Sequence, residues 1–224
     1  NQLNLNIEKI KNDRNIRCLL IGSKTKHFCA GADLKERSSF TNSQTIEFLT
    51  NINNTFNEIE DLNIPVIAML NGATLGGGAE LSLCADFRIS DSTLKIGFPE
   101  TSLGIIPGAG GTYRLPRILG ILKAKKLIYS AEILNSKTAF DLNLIDNVSD
   151  NLIDDTIEFA NTIIKNSPIG ISSAKTSINN NFNLDRSSGL KIENKAYSMT
   201  IGTKDRQEAL KAFKEKRKPI WQNK

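Results

Sequence analysis

The feature that most constrains this chain is a pair of glycine-rich stretches, each tied to a glutamate. The first runs Asn71-Gly72-Ala73-Thr74-Leu75-Gly76-Gly77-Gly78-Ala79-Glu80. The second runs Phe98-Pro99-Glu100-Thr101-Ser102-Leu103-Gly104-Ile105-Ile106-Pro107-Gly108-Ala109-Gly110-Gly111-Thr112. A third segment, Phe28-Cys29-Ala30-Gly31-Ala32-Asp33, lies upstream. Glycine lets another backbone or a ligand carbonyl approach closely. Free N–H groups at a helix start, with the helix dipole behind them, favour partial negative charge. Beside two carboxylates, such donors are the parts that chemistry on a thioester carbonyl requires: a cradle for a developing oxyanion, a general acid and a general base.

Other readings of the same glycines are weaker. A phosphate loop of the Walker type needs Gly-Lys-Ser/Thr, which is missing, and the spacing does not fit a dinucleotide fingerprint. Tight helix packing is the plain reading of Gly76–Gly78, and an ordinary turn that of Ala30-Gly31-Ala32-Asp33. Small residues just beyond a strand are, however, typical of a ligand crevice. Taken together, one N–H from each loop can clamp a single oxygen. Lone glutamates are most often solvated. Here Glu80 is followed by Leu81 and Leu83, and Glu100 is preceded by Ile96 and Phe98. Partial burial beside a second carboxylate separates two pKa values, so the pair is expected to share a cavity. His27 reads as a loop residue, and Lys35 and Arg37 as either a solvated face or a contact for cofactor phosphates.

Composition narrows the class. A chain of 224 residues accommodates one domain, or one domain with a helical appendage. The net charge of +5 suits an anionic ligand such as a nucleotide cofactor and does not of itself imply nucleic acid. The most basic run, Lys211–Lys218, is interrupted by Glu215. No apolar run approaches the roughly 18–20 residues that span a bilayer, so no membrane partner is expected. Cys18, Cys29 and Cys84 form no CxxC pair and read as reduced thiols of an intracellular compartment. With His27 as the only histidine, a His-rich metal site is excluded and no metal ligand set is expected.

Periodicity supplies a coarse map. Residues 16–21 and 65–70 read as buried strands, and 87–90 and 94–97 as shorter ones. Ile46, Leu49, Ile52, Phe56 and Ile59 mark an amphipathic helix over 43–61. A helix opens at the glycine triplet and carries Glu80 and Cys84. Further helices are predicted over 119–130, 137–142 and 152–164, from Pro168 onward, and over 203–216, with a brief strand at 145–148. Strands alternating with helices early, then mostly helices, indicate an α/β core with a helical tail. The opening residues Asn1–Ile7 look like a helix in progress, so the chain is expected to begin partway into a domain.

The three segments, in this order, resemble the enoyl-CoA hydratase/isomerase (crotonase) superfamily over about residues 16–218. The resemblance implies an α/β fold with a crotonase-like ββα spiral core over residues 1–142, its front end missing, and a helical C-terminal trimerisation region over 143–224. It implies that Ala32 and Gly77 supply oxyanion-hole N–H groups and that Glu80 and Glu100 are catalytic. Retention of both glutamates resembles a hydratase rather than an isomerase, thioesterase or dehalogenase. By the same resemblance Ala30, Asp33, Leu34, Lys35, Gly76, Gly108, Phe213 and Lys216 bind substrate, the last two near the coenzyme A adenine, often across a subunit boundary. The segments 31–37, 203–206 and 212–217 are similar to the branch containing methylglutaconyl-CoA hydratase, an enzyme of leucine degradation. Some members of that branch bind AU-rich RNA through a lysine-rich helix near the front. Here no lysine precedes Lys9, so nucleic acid is not an expected partner. The implied activity is addition of water to a trans-2-enoyl-CoA, in fatty-acid or branched-chain amino-acid degradation. No metal or redox cofactor is implied, coenzyme A being part of the substrate. The implied assembly is a homotrimer or homohexamer, in the mitochondrial matrix of a eukaryote or the cytoplasm of a bacterium.

Overall fold

The computed structural model describes residues 2–224. The helix read over the opening residues is α1 (Gln2–Asn12), with Asn1 outside the described residues. The chain continues through β1 (Leu19–Ile21), the short α2 (Leu34–Ser38) and the long α3 (Asn42–Glu60). The start of α3 is fixed by a reciprocal cap: the Thr41 hydroxyl accepts from the Gln44 N–H, and the Gln44 side chain accepts from the Thr41 N–H. Then come β2 (Val66–Leu70), β3 (Ala73–Leu75), α4 (Gly77–Ser82), β4 (Phe87–Ser90) and β5 (Lys95–Gly97). A 3-10 turn over Pro99–Leu103 leads into α5 (Gly111–Leu119) and α6 (Ile121–Ser130). The remainder is β6 (Ile133–Asn135), α7 (Ser136–Asp141), β7 (Asn147–Val148), α8 (Leu152–Ile164), α9 (Pro168–Asn181), α10 (Arg186–Ile201) and α11 (Lys204–Lys214).

Two sheets organise the core. One is parallel, in the order β1-β2-β4-β7, with Leu19 opposite Val66 and Ile67 opposite Phe87. The other runs β3-β5-β6, with β3 and β5 parallel and β6 antiparallel. Strand side chains alternate between faces, and β2 uses both. Ile67 packs with Ile89 and with Ala160 of α8 on one side, while Val66, Ala68 and Leu70 enter the main core on the other. That double burial explains why β2 reads as an unbroken apolar run. Each turn of the spiral lays one strand in the first sheet, one in the second, and then a helix. The pattern is plain in β2–β3–α4. In the first turn the second strand is reduced to a single bridge between Cys29 and Thr74.

Several elements differ from the sequence-based expectation. The helix predicted over 119–130 is observed as α6, and a helix not predicted, α5, precedes it and ends at Gly120, whose φ of 80° and ψ of 158° no helix contains. The helix opened by the glycine triplet ends at Ser82, so Cys84 lies beyond it. β3 and β6, three residues each, are too short to carry a period. α10 escapes pattern reading because its large apolar side chains, Leu190, Tyr197, Met199 and Ile201 among them, are exposed and draw no single stripe. The parallel sheet also runs past residue 142: β7 pairs with β4, and α8 packs behind it, the Phe159 ring lying edge-on to Phe87 at 5.0 Å.

Candidate active site

The glycine-rich stretches meet because β3 draws the upstream loop against them. The Cys29 N–H donates to the Ala73 carbonyl at 3.2 Å, and the Leu75 N–H to the Cys29 carbonyl at 3.0 Å. This pairing carries Ala30, Gly31 and Ala32 alongside Gly76 and Gly77. Gly78 makes the approach possible, since any Cβ there would overlap the Cys29 carbonyl oxygen. Gly76 caps α4 at φ 53° and ψ −122°, a conformation for glycine alone. Its own N–H is taken by the Gly97 carbonyl. Among the described residues, by contrast, the N–H groups of Ala32 and Gly77 have no acceptor. The space in front of Gly77 is open, with nothing within 4 Å of where a Cβ would stand.

Both carboxylates are buried, and the Glu100 charge acts on Glu80. Glu80 lies in the first turn of α4 and is 3% exposed. Its Oε1 accepts two backbone hydrogen bonds, from Ala109 and Gly111, each 2.8 Å. Burial nevertheless pushes its pKa up to about 6, against the pull of those two N–H groups, and the Glu100 charge pushes it in the same direction. Glu100 sits in the 3-10 turn behind Pro99 and is 8% exposed. Its Oε1 lies 3.0 Å from where a Cβ on Gly76 would stand, beside the start of α4. Its Oε2 is buried without a hydrogen-bond partner. Burial raises its pKa as well. The chemistry available is therefore a pair of unequal carboxyls. One is held by two donors that favour its ionised form. The other has an oxygen with no partner, and burial shifts both carboxyls in the same direction.

The other sequence-predicted residues divide by position. Ala30 precedes the free Ala32 N–H on the same loop, and Gly76 lies between the two carboxylates' elements. Asp33 caps α2, its carboxylate accepting from the Lys35 N–H at 2.8 Å. Leu34 and Lys35 stand exposed at the start of that helix. Gly108 presents its carbonyl to the Asn53 side chain at 2.7 Å. Phe213 and Lys216 belong to the C-terminal helix and its end. Phe213 is 86% exposed on α11, and Lys216 follows that helix in a left-handed turn. α11 is tied elsewhere, Asp205 accepting from Ser167, Gln222 and Asn223. His27 is a loop residue whose Nδ1 accepts from the Ala73 N–H at 3.0 Å. Cys84 is buried behind Glu80, its thiol donating to the Glu80 carbonyl, and burial pushes its pKa up to about 12. Among the described residues no group of three His, Cys, Asp or Glu side chains is placed to hold a metal ion.

Sequence reasoning missed the side chains behind the 108–111 loop. Arg114 is 3% exposed, and with Asn53, Asn57 and Glu60 of α3 it fastens that loop. Their only sequence signal is a polar row at positions 53, 57 and 60 of a helix otherwise read by its apolar stripe.

The geometry and the comparisons agree on the class. The family model for enoyl-CoA hydratase/isomerase matches residues 1–224, and the chain belongs to that family. An enoyl-CoA hydratase/isomerase relative from Bacillus subtilis is 44% identical over 222 residues, covering 98% of this chain and 85% of that one. The mitochondrial methylglutaconyl-CoA hydratase of Homo sapiens is 42% identical over 220 residues, covering 95% of this chain and 65% of its own. Among solved structures, enoyl-CoA hydratase from Bacillus anthracis superposes with a TM-score of 0.96 at 42% identity, covering 100% of this chain and 88% of that one. The fold is the crotonase fold.

Proposed function

We propose that this protein is an enoyl-CoA hydratase that adds water across the 2,3 double bond of a trans-2-enoyl-CoA. The observation that carries the reading is the site's asymmetry: two free N–H groups on converging loops, beside one carboxylate held by backbone donors and one bare. The Ala32 and Gly77 N–H groups would receive the thioester oxygen. Glu80, largely ionised at neutral pH with a pKa of about 6, takes a proton from water as the water oxygen bonds to C3. The π electrons shift to the thioester oxygen as an enolate, which the two donors stabilise. One such donor is worth about 3–4 kcal/mol in the transition state. Glu100, the general acid in this reading, then delivers a proton to C2 from its otherwise unpartnered oxygen. Proton exchange between the carboxyls and solvent restores the resting state. Each step uses groups of this chain, and coenzyme A enters as part of the substrate. Hydration of crotonyl-CoA, followed by loss of the enoyl-thioester absorbance, tests the reading. Double-bond migration without hydration would make the protein an isomerase instead.

The finer substrate assignment is methylglutaconyl-CoA, supported by the likeness to the human enzyme of that name. A kcat/KM panel over crotonyl-, longer enoyl- and methylglutaconyl-CoA tests it. An RNA-binding role finds little support in α1, which carries only Lys9 and Lys11. Lys11 is engaged by Glu8 and Glu58. Assembly as a trimer or hexamer is supported by the exposed apolar side chains of α9 to α11, Ile178, Tyr197, Met199 and Phe213 among them. In that assembly Phe213 would offer the adenine an apolar surface, and Lys216 would offer a phosphate a point charge.

A further inference from the structure

Glu80 is anchored by the backbone N–H groups of Ala109 and Gly111, so the loop that carries them must itself be held in place. The loop is residues 108–111, and one face of α3 braces it, partly through Arg114 of α5. Leu49, Asn53, Asn57 and Glu60 recur at steps of three or four, so they share that face. Leu49 abuts Gly108, its Cδ2 lying 2.9 Å from where a Cβ would stand. The Asn53 amide donates to the Gly108 carbonyl at 2.7 Å and to the Leu49 carbonyl at 2.8 Å. The remaining two act through Arg114. Its Nε donates to Glu60 at 2.8 Å, its Nη2 to Asn57 at 2.7 Å, and its Nη1 to the Ala109 carbonyl at 3.2 Å. Nη2 also lies 2.7 Å from Glu60 Oε2. Arg114 belongs to the first turn and a half of α5 and folds back over that helix's own start. There Gly110, at φ 99°, leaves no room for a Cβ beside the guanidinium.

Ala109 is thus held from both sides: its carbonyl by Arg114, its N–H by Glu80. We infer that Arg114 and Asn53, braced on α3 by Asn57 and Glu60, are positioning residues that set the orientation and proton affinity of Glu80 through the 108–111 loop. The inference rests on the reading of Glu80 as the general base. Two effects act in one direction. Loosening the loop weakens the two N–H bonds that favour ionised Glu80, and removing Arg114 removes a positive charge that does the same. The charged and titratable groups around Glu80 are Glu100 from the 3-10 turn, Arg114 from α5 with Glu60 of α3 behind it, and Cys84 beyond the end of α4. A solely structural brace would change stability and leave the titration of Glu80 where it was.

The test uses two variants. Arg114→Met with Glu60→Gln removes the buried ion pair without leaving an orphan charge. Asn53→Leu leaves every charge in place and removes the side-chain donor to the Gly108 and Leu49 carbonyls. Glu80 is titrated directly by carbon-13 NMR of side-chain carboxyls in glutamate-labelled protein, its resonance assigned by its loss in Glu80→Gln. In parallel, kcat and KM for crotonyl-CoA are measured across pH. In both variants the Glu80 titration should move to higher pH, with the acidic limb of kcat following it. kcat should fall in both, by about 10²-fold in the double variant, with KM little changed. An unchanged Glu80 titration in folded protein overturns the inference. A shifted titration with an unmoved kcat limb upholds the positioning and overturns the role of Glu80 as base. Should the double variant fail to fold, Asn53→Leu decides alone.

Discussion

Replacing Glu80 by glutamine is expected to stabilise the protein above pH 6 while disabling it. Burial raises the Glu80 pKa from 4.5 to about 6 in the native state. At about 1.4 kcal/mol per pKa unit, holding this group ionised costs the folded state about 2 kcal/mol relative to the unfolded chain. Between pH 4.5 and 6 the native state binds more protons than the unfolded one, so this contribution to stability declines as pH rises through that window. Below the window the wild type bears no such cost, and above it the whole cost is present. Glutamine is neutral throughout, and its carbonyl oxygen can still accept from Ala109 and Gly111. For a domain of this size, about 2 kcal/mol corresponds to roughly 4–8 °C in Tm. The assay is thermal unfolding by circular dichroism at fixed protein concentration from pH 4 to 8.5. The variant should match wild type near pH 4 and melt higher above pH 6. Its kcat should fall by about 10²–10⁴-fold, the usual contribution of a general acid or base. A Tm difference that is constant across pH, or a variant less stable than wild type at pH 8, would refute the reasoning.

Other outcomes follow from the same geometry. Glu100→Gln should lower kcat by a similar factor with little change in KM, and the double glutamine variant should lose far less than the product of the two, because both groups serve one step; steady-state kinetics decides. Gly78→Ala places a methyl against the Cys29 carbonyl and should part the Ala32 and Gly77 loops, lowering kcat by about 10²–10³-fold, with hydratase assays and melts separating catalysis from folding. Phe213→Ala should raise KM for acyl-CoA more than it lowers kcat, and the wild type should sediment as a trimer or hexamer. An unchanged KM refutes the adenine contact, and a stable, fully active monomer refutes the assembly.

What the sequence made legible was what short-range chemistry encodes. The glycine runs read as tight packing, turns or ligand crevices, and Gly76 and Gly78 prove to be conformational and steric necessities. The double-faced burial of β2 shows as an unbroken apolar run. The carboxylate pair was visible through its apolar neighbours. Three-residue strands were not, because β3 and β6 derive their stability from ladder partners distant in sequence. Nor was α5, which opens on glycine and carries Pro116 in its interior. Arg114 was hidden for a different reason: an arginine in a helix is usually solvated, and only the tertiary approach of α3 turns this one into a buried brace.

The central claim is that Ala32, Gly77, Glu80 and Glu100 form one hydration site. The most direct measurement is conversion of crotonyl-CoA in oxygen-18 water by wild type, Glu80→Gln and Glu100→Gln, with product analysed by mass spectrometry. The account predicts 3-hydroxybutyryl-CoA carrying the heavy oxygen at C3, formed rapidly by wild type and at least about 10²-fold more slowly by either variant. Wild-type-like hydration by either variant, or no labelled product from the wild type, would contradict it.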